Sequence, residues 1–191
     1  MSATTRCAEL GITLPPVAAP VADYVPAIQT GSQILTSGQL PFVDGELTVA
    51  GKVGDTVSAE QAAEAARAAA LNAIAAAADV AGGLDAIKRV VRVVVFVNSA
   101  PDFTGQAAVA NGASQLLGQV FGEHGRHARS AVGVATLPLG SAVEVELTVE
   151  VWSGLFQNNN WGARCQRLAP KLIGLGSCEF SWPGKLISPA P

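Results

Sequence analysis

Apolar and polar positions alternate most clearly in AVEVELTVEVW, residues 142–152. Val143, Val145, Leu147, Val149 and Val151 fall on one side, and Glu144, Glu146, Thr148 and Glu150 on the other. A period of two is that of a β-strand with one buried face. KRVVRVVVFVN, 88–98, is instead almost continuously β-branched. That pattern predicts a central strand covered on both faces. Residues 58–81 predict the clearest helix. Ser58 can cap it, Gln61 stands three residues on as the capping-box partner, and Gly82-Gly83 ends it. The segment is mostly alanine, the best helix former, and its short side chains let a helix lie close to a sheet. Glu64 and Arg67 form a candidate i,i+3 pair.

Shorter patterns fill the remainder. YVPAIQTGSQILTSGQLP, 24–41, predicts a hairpin about Thr30-Gly31-Ser32, ended by Pro41. A turn at Asp44-Gly45 and a short strand follow. A second helix is expected over about 104–122, with Leu116, Leu117, Val120 and Phe121 as its larger apolar residues. Residues 129–137 predict another strand. The order gives an α+β domain, a mixed sheet with two helices on one face. Residues 1–22, rich in Pro and Ala, read as an irregular lead-in, 23–152 as the domain, and 153–191 as an appendage without periodicity.

Composition narrows the class. The chain has 191 residues, 49% hydrophobic and 14% charged, enough to bury a core. Net charge is −3, so no broad basic field exists to collect nucleic acid. The sign is uneven: residues 1–152 carry eight Lys and Arg against fourteen Asp and Glu, and 153–191 carry four against one. Cys7, Cys165 and Cys178 form no CxxC pair, which favours a reducing compartment. Arg6 is followed by no long apolar run, and the Ala-rich stretch 59–83 carries Glu60, Glu64, Arg67 and Asp79. The expectation is a soluble, cytoplasmic protein with no membrane partner.

Few residues have the spacing of a chemical site. His124 and His127 lie three apart with no Cys, Asp or Glu cluster beside them, so a solvated loop pair is expected rather than a metal site. Ser37 in TSGQ lacks a GxSxG elbow and reads as a strand-end hydroxyl. GLGSCE, 174–179, is too weak a match to a phosphate loop. Glu146 and Glu150 read as a solvated outer face. Arg129 shares its strand face with Ala131, Gly133 and Ala135. Small residues beside a long cation leave space for a small carboxylate, which a guanidinium grips bidentately. Alternatively, the Ala-rich helix fills the space and Arg129 reaches to solvent.

YVPAIQTGSQILTSGQLP, VVVFVNSAPDF, VFGEHG and RHARSAVGVATLPLGSAVEVE, taken together and in order, resemble the YjgF/Rid family of enamine/imine deaminases, also called the L-PSP endoribonuclease family. The resemblance spans about residues 24–151. It implies a chorismate-mutase-like fold, a homotrimer with clefts between subunits, and no cofactor or metal. Carried over by position, it gives Arg129 the substrate carboxylate and Glu144 the water. Tyr24, Ser37 and Asn111 become cleft-lining residues. Many relatives carry Cys where this chain has Ala131, so only the backbone there can act. The implied reaction converts a 2-aminoacrylate-like enamine, through its imine, to a 2-keto acid and ammonia. A non-catalytic trimer binding a small carboxylate or keto acid is the alternative, and an endoribonuclease the third reading.

A hairpin joining 129–137 to 142–152 would set Arg129 opposite about Glu150. Glu144 would then lie near the turn, about 20 Å away at 3.3 Å per residue. On that register, both residues serve one cleft only if they come from different subunits.

Overall fold

The computed structural model describes residues 1–17 and 23–152. The expected appendage, 153–191, lies outside the described residues. Two hairpin strands open the sheet, β1 (Ala27–Thr30) and β2 (Gln33–Thr36), followed by the short pair β3 (Phe42–Val43) and β4 (Glu46–Leu47). Then come α2 (Ala59–Ala81), β5 (Ile87–Asn98), α3 (Gln106–Phe121), β6 (Ala128–Val134) and β7 (Val143–Val151). Ser58 accepts from the Gln61 N–H and the Gln61 side chain answers, closing the capping box; Gly82 ends α2 with a left-handed φ of 84°. Among the described residues, no helix is long and apolar enough to cross a membrane.

The lead-in departs from expectation. Residues Ala3–Glu9 form a helix, α1, capped by Ser2, whose hydroxyl accepts from the Thr5 N–H. Seven residues are too few to be stable alone. Distant partners hold this helix: Cys7 is buried, and the Thr4 N–H donates to Asp85 at 2.9 Å. Burial, reinforced by the charge of Asp85, pushes the Cys7 thiol up from its ordinary range.

The five-stranded sheet runs β1-β2-β7-β5-β6. This order excludes a simple hairpin between β6 and β7. β6 instead pairs parallel with β5, Val93 opposite Arg129, whereas β7 lies between β2 and β5, antiparallel to both. The cause is α3: a helical crossover returns the chain parallel to the strand it left. β6 thereby takes the edge, and the valine-rich face of β7 gains a neighbour on each side.

Both long helices cover one face. Ile34, Val90, Val93, Val95, Val97, Val143, Val145, Leu147 and Val149 lie beneath them, almost wholly buried. The alanines of α2 permit close packing, and at Gly112 of α3 an added Cβ would strike the Ala63 carbonyl. Glu64 forms no ion pair with Arg67; Arg67 donates to Gln119 of α3 at 2.8 Å. No helix among the described residues covers the opposite face. There Val94 and Phe96 of β5 are only half-buried, contrary to the two-sided cover its sequence predicted. Ile28, Leu35 and Val132 share that face at 60%, 39% and 42% exposure.

Candidate functional site

β6 places Arg129 on the helix-facing side, at the edge of the sheet. Arg129 is paired with Val93, Ala131 with Val95 and Gly133 with Val97, so all three share the buried valines' face. Arg129 is exposed, but its side chain is not loose. Its Nη1 donates to Asn111 Oδ1 at 2.9 Å and to Ser114 Oγ at 3.1 Å. Asn111 and Ser114 are one helical turn apart on α3, so both face Arg129.

The small residues beyond Arg129 need a different explanation from open space. A Cβ at Gly133 would lie 2.9 Å from Gln106 Nε2 and 3.0 Å from Ser99 Oγ. Those side chains already fill that position. Space beside Arg129 is therefore limited to the neighbourhood of Ala131. As an edge strand, β6 leaves alternate backbone groups without a strand partner in this chain. That includes the stretch around Ala131, where a side-chain role is absent.

Glu144 belongs to the opposite face. It lies across from Phe96, three positions along β7 from the Leu147 that shares a row with Val93 and Arg129. Two strand spacings and three residues put the Arg129 and Glu144 backbones about 14 Å apart. Their side chains leave opposite sides of the sheet. The two residues are thus separate within one chain, for a reason other than the hairpin register.

Glu144 is half-buried against Gly38, where any Cβ would run into its carboxylate. Burial, then the neighbouring charge of Glu146, pushes its carboxyl above the ordinary glutamate range. Gln39 exchanges both backbone hydrogen bonds with Val145 at 2.9 Å, which fixes Ser37-Gly38 beside Glu144. Ser37 is a strand-end hydroxyl, as its sequence implied: Oγ donates to the Val25 carbonyl at 2.7 Å. That bond anchors the segment after Tyr24, which is 47% exposed. Tyr24, Ser37 and Glu144 therefore gather at one end of the β2–β7 pair. Asn111, Arg129 and Ala131 gather at the β6 edge.

One acidic residue on the outer face differs from expectation. Glu150 is not simply solvated: it accepts from Lys88 Nζ at 3.0 Å, and that Nζ lies 5.6 Å from the Trp152 ring centre. Glu146 borders Glu144 and raises its affinity for a proton. His127 also departs from the loop pair. His124 is exposed, whereas His127 is half-buried with Nε2 3.0 Å from Ser114 Oγ and Nδ1 2.6 Å from the Gly125 carbonyl. The sequence reading does not single out Ser114, and it takes His127 only as half of a loop pair. The spacing held the signal: Ser114 is three residues from Asn111 on a helix, and His127 is two before Arg129.

Comparison with known proteins places these elements in a family. The family described as "YjgF/chorismate mutase-like, putative endoribonuclease" matches residues 4–151. Its match begins within α1. Protein TCP17 of Trypanosoma cruzi is 50% identical over 143 residues, 74% of this chain and 89% of that protein. A crystal structure of a protein of unknown function from Agrobacterium tumefaciens is similar at 43% identity and a TM-score of 0.72, covering 78% of this chain and 92% of that one. A "putative endoribonuclease" from Shewanella oneidensis is similar at 35% identity and 0.76, covering 79% and 100%. The mixed sheet with two helices on one face is the chorismate-mutase-like α+β fold of these proteins. The chain belongs to the YjgF/chorismate mutase-like family.

Proposed function

We propose that this protein hydrolyses small enamine and imine acids to 2-keto acids and ammonia, in clefts between the subunits of a homotrimer. The observation that carries this reading is the placement of a preset guanidinium, Arg129, and a carboxyl raised above its ordinary range, Glu144, on opposite faces of one sheet. Neither can reach the other within its own chain, but two copies can present them to one substrate. The uncovered sheet face bearing Ile28, Leu35, Phe96 and Val132 is a suitable surface for such an assembly.

The chemistry asks little of the protein. An enamine acid such as 2-aminoacrylate moves a proton from nitrogen to its terminal carbon and becomes the imine. Water adds across C=N as its oxygen bonds to carbon and its proton passes to the Glu144 carboxylate. The same carboxyl gives that proton to the imine nitrogen to complete the carbinolamine. It then takes the carbinolamine hydroxyl proton and passes it to the amine as the C–N bond breaks, so that ammonia leaves and the carbon closes to a ketone. A carboxyl held above its usual range suits both halves of this exchange. Arg129 holds the substrate carboxylate, and backbone groups at Ala131 orient the imine nitrogen. Tyr24, Ser37 and Asn111 line the cleft. No redox or metal step is needed.

A non-catalytic keto-acid-binding trimer would use Arg129 without Glu144. The two are separated by assaying keto-acid release from enzymatically generated 2-aminoacrylate together with calorimetric binding of 2-ketobutyrate. Turnover that falls at least about tenfold in Arg129→Lys is the expected result, since lysine is a point charge without the planar fork. Binding without turnover would favour the binding protein. A nuclease would need a basic surface, and the outer face carries Glu144, Glu146 and Glu150 instead.

A further inference from the structure

We propose that Ser114 and His127 form a proton-ordered relay that positions Arg129, so that its guanidinium offers the Nε–Nη2 edge to a carboxylate. This rests on the reading of Arg129 as the carboxylate anchor. The order of protons follows from what each atom can do. The Gly125 carbonyl only accepts, so the 2.6 Å contact requires the proton of His127 on Nδ1. In the neutral ring, Nε2 is then an acceptor, and the Ser114 O–H donates to it at 3.0 Å. The Ser114 lone pairs are left facing Arg129 Nη1, 3.1 Å away, as acceptors.

The consequence lies in the count of donors. A guanidinium has five N–H groups. Asn111 and Ser114 together engage both protons of Nη1. Three remain, one on Nε and two on Nη2, and Nε with Nη2 is the one free edge that can hold a carboxylate with two parallel bonds. Ser114 thus selects which edge of Arg129 meets the substrate, and His127 selects which way Ser114 points. His127 never touches the substrate, so it is a positioning residue.

Two measurements on the full-length protein test this. The protein has only two histidines, so nitrogen NMR of the labelled protein can separate the rings by comparison with His124→Gln. The Nδ1–H tautomer is expected for His127 in the free protein. An Nε2–H ring would overturn the relay whatever the activity. The second measurement is kinetic. Ser114→Ala and His127→Phe should each raise KM for the imine and Kd for 2-ketobutyrate about tenfold, the scale of one charge-assisted hydrogen bond, with kcat within about twofold. His127→Gln, which returns an acceptor toward Ser114, should recover most of the loss. Unchanged KM and Kd in Ser114→Ala would overturn the proposal even with the expected tautomer. If instead the wild type neither binds 2-ketobutyrate nor turns over the imine, the carboxylate reading itself fails.

Discussion

Arg129 spends two of its N–H groups within its own chain before any ligand arrives. An exposed arginine normally loses considerable rotamer entropy when it binds. Here Asn111 and Ser114 meet part of that cost on folding. Asn111→Ala should therefore weaken keto-acid binding without moving Tm, as measured by calorimetry and thermal unfolding. Glu144 gives a second residue-scale expectation with a definite sign. Its carboxyl is raised in the fold by burial and by Glu146. The protonated form is thus favoured on folding, and stability is lost as pH rises through the raised value. Glu144→Gln should raise Tm at neutral pH, and the difference should disappear at pH values where the wild-type carboxyl is protonated. The same variant should lower imine hydrolysis about 100-fold, the scale of a lost acid–base group.

Elements explain why Glu144 and its neighbours are held in place. The 37–39 segment is tied to β7, and Gly38 leaves room for Glu144 to lie flat against it. Gly38→Ala is expected to displace a flexible carboxylate rather than backbone. Tm should stay near the wild-type value while turnover falls. Gly112 is the opposite case, because an added Cβ would meet the Ala63 backbone between two packed helices. Gly112→Ala should cost about 1–3 kcal/mol in denaturant unfolding, the usual scale of overpacking. The sequence was most readable where a pattern is local: Ser58 with Gln61, the alternation of β7, the turn at Asp44-Gly45. α1 was not readable, since Asp85 and α3 hold it from far along the chain. The place of β6 was not readable either. Strand neighbours depend on the crossover through α3, and a β6–β7 hairpin satisfies the local pattern equally well. Ala131 and Gly133 looked alike as small residues, yet Gln106 and Ser99 already fill the space at Gly133.

At the scale of the whole molecule, one sheet face lies against helices and the other offers apolar residues among carboxylates. Burying such a face against copies of itself would satisfy the hydrophobic effect and join the half-sites in one step. Sedimentation should then give three times the 19.4 kDa of one chain. Leu35→Asp, on that face, should yield monomers that have lost turnover while keeping their secondary structure. The most direct test mixes two inactive variants, Arg129→Ala and Glu144→Ala, under conditions of subunit exchange confirmed by native mass spectrometry. Every mixed trimer would contain one cleft with both residues intact, so an equal mixture should recover about a quarter of wild-type turnover. A fully exchanged mixture as inactive as its components would contradict a cleft shared between subunits.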